Sequence, residues 1–139
     1  MRVSSISTFI ITFAVLSTLL VPTLPASLGM SQVLAQTQDV RKQEADRLYS
    51  QGIESLNASK FEKALQFFQQ ALNLYREIKD LKGEGASLDS LGNVYLNLGD
   101  YNKAIVYYQQ HIKIAREINH RKGESTSLGN LGNVYEKLG

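Results

Sequence analysis

Two stretches decide the fold, Leu91-Gly92-Asn93-Val94-Tyr95 and Leu131-Gly132-Asn133-Val134-Tyr135, the same five residues forty positions apart. The identity continues outward on both sides. Ser87-Leu88 falls on Ser127-Leu128, Leu98-Gly99 on Leu138-Gly139, and Lys82-Gly83-Glu84 on Lys122-Gly123-Glu124. One step earlier in the chain, Gln69-Gln70 meets Gln109-Gln110, Arg76-Glu77-Ile78 meets Arg116-Glu117-Ile118, and Lys63-Ala64 meets Lys103-Ala104. Leu48, Gly52 and Leu56 carry the register into a first copy. A fixed period of this length marks a chain built from repeated supersecondary units.

Each unit reads as two helices. Leu88, Leu91, Tyr95 and Leu98 recur at spacings of three and four, which is one face of a helix. Gly99 then breaks the helix and Asp100 is placed to cap the next. In that second helix Tyr101, Ala104, Ile105, Tyr108, Ile112 and Ala115 again step by three or four, and Phe61, Ala64, Leu65, Phe68, Leu72 and Tyr75 do so one repeat earlier. Asp80 stands where the following helix should start. No alternating β-branched run supports a sheet. Gly52, Gly92 and Gly132 fall in mid-helix, where glycine costs about 1 kcal/mol against alanine, so a close backbone approach is expected there, with Ala64 and Ala104 as the facing small residues.

The residues Leu91-Gly92-Asn93-Val94-Tyr95, Leu98-Gly99-Asp100-Tyr101, Ala104 and Tyr107-Tyr108, with Leu128-Gly129-Asn130-Leu131-Gly132-Asn133-Val134-Tyr135, resemble the tetratricopeptide repeat. The likeness is to its forty-residue form, found in kinesin light chains, Pins-like polarity scaffolds and secreted bacterial, notably cyanobacterial, proteins. It implies an all-α fold, a right-handed solenoid of antiparallel helix pairs with about two and a half repeats. The array is expected over 41–139, with units 45–84, 85–124 and an incomplete 125–139. The first unit departs from the pattern at Gln51, Ile53, Ser55 and Ser59-Lys60, which suits an end cap.

Residues 1–35 read differently. Arg2 is the only charge before Asp39, and Phe9 to Val21 (FIITFAVLSTLLV) is apolar or hydroxyl-bearing before Pro22 and Pro25. Val33-Leu34-Ala35 offers small residues for a cut before Gln36, so 1–35 is expected to be a signal peptide, 36–40 a short linker, and the protein exported, periplasmic or extracellular. An uncleaved anchor is the rival reading, but about 13 apolar residues fall short of the roughly 20 that span a bilayer. No membrane insertion is expected after cleavage.

Composition removes several chemistries. Of 139 residues none is Cys, which excludes disulfides, thiol nucleophiles and Cys-ligated metal. A net charge of +2 is too even for a nucleic-acid binder that works by a basic stripe. His111 and His120, nine apart, do not have a helical metal spacing, and Gly83-Glu84-Gly85 lacks the strand of a dinucleotide fingerprint. No Ser, His and Asp arrangement is suggested by the spacing. No cofactor and no enzymatic activity are expected.

The resemblance implies that the first helix of each pair lines a concave face where peptides bind. By register that face carries Asp89, Ser90, Asn93 and Asn97 in one unit and Asn130 and Asn133 in the next. A side-chain amide both donates and accepts, so Asn93 and Asn133 suit a peptide main chain, or else a neighbouring helix whose angle they fix. The expected function is a non-enzymatic scaffold that binds a peptide segment of a partner protein. Two alternatives stand beside it: an amino-terminal regulatory array of a larger enzyme such as a caspase-like peptidase, or an architectural module self-associating through its carboxy-terminal helix.

Overall fold

The computed structural model describes residues 26–139, with side-chain burial from residue 29. It is five helices in series: α1 (Ala26–Asn57), α2 (Phe61–Glu77), α3 (Leu81–Asn97), α4 (Tyr101–Glu117) and α5 (Arg121–Leu138). The expected leader over 1–35 lies outside the described residues up to position 25. Residues 36–40 lie within α1. Among the described residues no helix is long and apolar enough to cross a membrane.

Four three-residue turns join the helices, and all four are one structure. Ser59, Lys79, Gly99 and Asn119, each the middle residue, have φ of 55°, 59°, 76° and 57°. At Gly99 the amide donates to Leu96 O at 3.1 Å, and the next amide, Asp100 N, donates to Tyr95 O at 2.9 Å. The other three turns repeat this pair of bonds, the Schellman arrangement that satisfies the last helical carbonyls. Only one of the four uses glycine, so the other three accept the left-handed conformation at a cost of about 1–2 kcal/mol each. Asp80 and Asp100 then cap α3 and α4, their carboxylates accepting from Gly83 N (3.0 Å) and Lys103 N (3.2 Å). Across the turns, Arg76–Glu84 (2.8 Å) recurs forty residues on as Arg116–Glu124 (2.6 Å).

Each helix packs on the next in the chain, and α1 also touches α3. The core accordingly runs along the stack instead of forming one centre. Ala45, Leu48, Ala71 and Tyr75 close α1 on α2; Phe68, Leu72, Leu88, Leu91 and Val94 join α2 to α3; Ala104, Tyr108, Ile112, Leu131 and Val134 join α4 to α5. Leu98, expected on the buried face, is 42 % exposed, because it lies one residue past the end of α3 at the turn. Two of the three mid-helix glycines lie under aromatic rings, Phe68 and Tyr108, which lean over them. A Cβ on Gly52 would come within 2.5 Å of the Phe68 ring, and one on Gly92 within 2.6 Å of the Tyr108 ring. Gly132 has nothing within 4 Å of that position.

Candidate functional site

The odd-numbered helices share one face, and between them lies a groove. It holds a cavity of about 340 Å³ bounded by Tyr49 of α1, Gly85, Ala86 and Asp89 of α3, and Gly123 and Thr126 of α5. His111 and Ile114 of α4 form its floor. Glycines at 85 and 123 line it closely: a Cβ at Gly85 would come within 3.1 Å of the His111 ring, and one at Gly123 within 2.5 Å of the His120 ring and 3.2 Å of His111 Nε2.

Asp89 organises the polar side of this cavity. Ser127 Oγ–H donates to Asp89 Oδ1 at 2.8 Å, and Asn93 Nδ2 donates to Oδ2 at 3.2 Å. His111 Nδ1 lies 2.6 Å from Ser127 Oγ and 3.4 Å from Asp89 Oδ1. The Ser127 hydroxyl has one proton and gives it to Asp89, so the imidazole donates from Nδ1 to Oγ. Burial alone would push the Asp89 carboxyl up; the His111 imidazole close by and the hydrogen bonds from Ser127 and Asn93 outweigh it and hold the group below the usual carboxylate range. A lowered folded-state pKa gives stability that is present above the unfolded-state value and is lost as pH falls through the folded one. Urea stability measured from pH 5 down to pH 2 should therefore fall less steeply in Asp89→Asn than in the parent chain.

The sequence suggests no Ser, His and Asp arrangement, and here the structure corrects it by bringing the three together. Their order is nevertheless wrong for a nucleophilic triad, in which the imidazole stands between hydroxyl and carboxylate. Here the hydroxyl stands between the other two, fully buried, with its proton committed to Asp89. The forty-residue register gives the signal that finds the cluster. Ser87 is the counterpart of Ser127, but Ala71 and Tyr49 occupy the positions of His111 and Asp89. Tyr49 turns its hydroxyl to Ser90 at 3.1 Å, and Ser87 Oγ is left buried without a partner among the described residues. Ser127→Ala should cost about 1–3 kcal/mol, since it strips partners from a buried carboxylate and imidazole. Ser87→Ala removes an unsatisfied hydroxyl and should be neutral or stabilising in the same urea titration.

The residues expected on the binding face divide. Asp89, Asn93 and Asn130 come together: Asn93 Oδ1 accepts from Tyr108 Oη at 2.7 Å and from Asn130 Nδ2 at 3.4 Å. The Asn93 amide thus joins α3 to α4 and α5. Burial, then the nearby Asp89 charge, pushes the Tyr108 hydroxyl pKa well above its ordinary value, so it stays a donor. Ser90 is buried against Tyr49. Asn97 is exposed and donates to the Asn93 carbonyl at 2.7 Å. Asn133 is exposed and makes no hydrogen bond among the described residues.

Comparison with known proteins agrees with this architecture. The family model described as tetratricopeptide repeat matches residues 56–117 and again 84–139, together more than half of the chain. No curated protein matches it. Helices paired in series, the forty-residue register and the family match lead to one conclusion: the chain belongs to the tetratricopeptide repeat family.

Proposed function

We propose that the protein is a non-enzymatic scaffold that holds a peptide segment of a partner protein in the groove along α1, α3 and α5. Tetratricopeptide repeats in general mediate protein–protein interaction, and the domain is typically non-catalytic. The observation that carries the reading for this chain is the groove itself, a cavity of about 340 Å³ whose lining residues come from four helices, α1, α3, α4 and α5. Exposed Asn97 and Asn133, with half-buried Asn130, extend its polar lining toward the far ends of α3 and α5. The forty-residue spacing supports the longer form of the repeat seen in kinesin light chains and Pins-like scaffolds.

A photo-crosslinking side chain placed at Ala86 or Thr126, on the groove, tests this against one at Gln66 or Gln109, on the even-numbered helices. Partner adducts should form from the groove positions. Adducts forming equally from Gln66 and Gln109 would reject the reading.

Export through a leader over 1–35 belongs to the same proposal, supported by its apolar run and the small residues before Gln36. Mass spectrometry of the mature protein should find Gln36 at its amino terminus. Self-association is favoured by a separate observation, since Leu128, Tyr135 and Leu138 of α5 are 48 %, 52 % and 50 % exposed. Light scattering at micromolar concentration gives oligomers on that reading and a monomer otherwise.

A further inference from the structure

Helix α5 repeats the residues of α3 but not their cover. On α3, the Tyr108 ring of α4 stands 2.6 Å from the Cβ position of Gly92, and Tyr107 stacks on Tyr95 with centroids 5.4 Å apart. Leu88 beside them is fully buried. Forty residues on, Gly132 has nothing within 4 Å of its Cβ position. Tyr135 makes no ring contact among the described residues, and both it and Leu128 are exposed.

The same contrast holds in the seam beside each helix. Ile114 of α4 joins Leu72 and Leu88 in one apolar cluster, so α4 fills the seam between α2 and α3. The counterparts of Leu72 and Leu88 are Ile112 and Leu128, and they line an open groove of about 460 Å³ between α4 and α5. Charge follows the pattern. At the covered seam, Arg76 donates to Gln110 Oε1 of α4 at 3.5 Å as well as to Glu84. Its counterpart Arg116 bonds only Glu124 among the described residues, and it lines the open groove with Lys113 and no acid. The packing of α4 on α3 therefore shows, residue by residue, what fits the bare face of α5.

We propose that this face docks an amphipathic helix of a partner protein that repeats the inward pattern of α4. That pattern is two adjacent aromatic residues, an amide or carboxylate two positions later, and an aliphatic residue four positions beyond, as in Tyr107, Tyr108, Gln110 and Ile114. One ring fills the space over Gly132 and its neighbour stacks on Tyr135. The acceptor meets Arg116, and the aliphatic side chain enters the groove against Ile112 and Leu128. A second copy of the chain does not offer such a helix. Its Phe68 and Tyr108 are buried in its own stack, and Tyr135 is the one exposed ring among the described residues. The inference is independent of the groove along α1, α3 and α5, and it gives to a partner helix the face that self-association would otherwise use.

The test uses the full chain, ¹⁵N-labelled, and a blocked synthetic peptide with the sequence of residues 101–117. The peptide should shift the amides of Leu128, Gly132 and Tyr135 saturably, while the chain alone stays a monomer by light scattering. The same peptide carrying Tyr107→Ala and Tyr108→Ala should bind at least about tenfold more weakly. In the chain, Gly132→Ala should raise the melting temperature yet weaken the peptide at least about tenfold, because the methyl group takes the place of the ring. Equal binding of the two peptides, or an unchanged affinity in Gly132→Ala, overturns the proposal. So do shifts at Gly92 instead of Gly132, which would mean that the peptide displaces α4. A dimer of the chain alone that protects Leu128 and Tyr135 gives the face to a second copy and also overturns it. If only Ala86 and Thr126 respond, the partner helix on α5 falls and the groove reading stands.

Discussion

Phe68→Ala should lower the unfolding free energy by about 3–5 kcal/mol, the usual cost of emptying a fully buried aromatic position. Phe68 is 0 % exposed, joins α2 to α3 and lies over Gly52 of α1, so one ring seals three helices together. In a stack where each helix holds only its neighbours, no distant core compensates for that loss. Phe67, next in sequence and half-buried, is the control: Phe67→Ala should cost well under half as much. Urea denaturation followed by far-ultraviolet circular dichroism compares the two. Equal losses would show that the ring of Phe68 does not hold the junction.

The second large effect has opposite signs at equivalent positions. Gly92→Ala puts a methyl group 2.6 Å from the Tyr108 ring, which is fully buried and bonded through its hydroxyl to Asn93, so the ring cannot swing aside. The expected cost is about 1–3 kcal/mol, the range for overpacking a filled core. Gly132→Ala, forty residues on, meets nothing within 4 Å and should gain up to about 1 kcal/mol from helix propensity. Thermal melts of the two variants decide the matter; a shift in the same direction for both would contradict the packing described.

Much of this architecture is legible in the sequence, for physical reasons that particular residues show. The helix pairs follow from the three-and-four spacing of Phe61 to Tyr75 and Tyr101 to Ala115, because burying one face is the only way such helices become stable. Asp80 and Asp100 announce helix starts since a short carboxylate reaches the free amides there. The turns are less legible: Ser59, Lys79 and Asn119 give no glycine signal, yet tertiary packing forces them into the same left-handed conformation as Gly99. Gly52 and Gly92 signal a close approach, and the bulky Phe68 and Tyr108 of the partner helices are the groups that lean over it. The groove is legible as a face, and Asp89 was expected on it. The Asp89–Ser127–His111 contact was not, because its members lie 16 to 38 positions apart on three helices and no local spacing relates them. Only a comparison of the two junctions, Tyr49 and Ala71 against Asp89 and His111, marks them as different.

Proton–proton contacts in the NMR spectrum of the chain reach furthest into this account. Nuclear Overhauser effects should link the Phe68 ring to Gly52 Hα and the Tyr108 ring to Gly92 Hα, while Gly132 Hα shows none to any aromatic ring. Gly52 and Gly92 found in dissimilar surroundings, or either ring in contact with a different helix, would mean that successive units do not stack alike and that the groove built on their alignment does not exist.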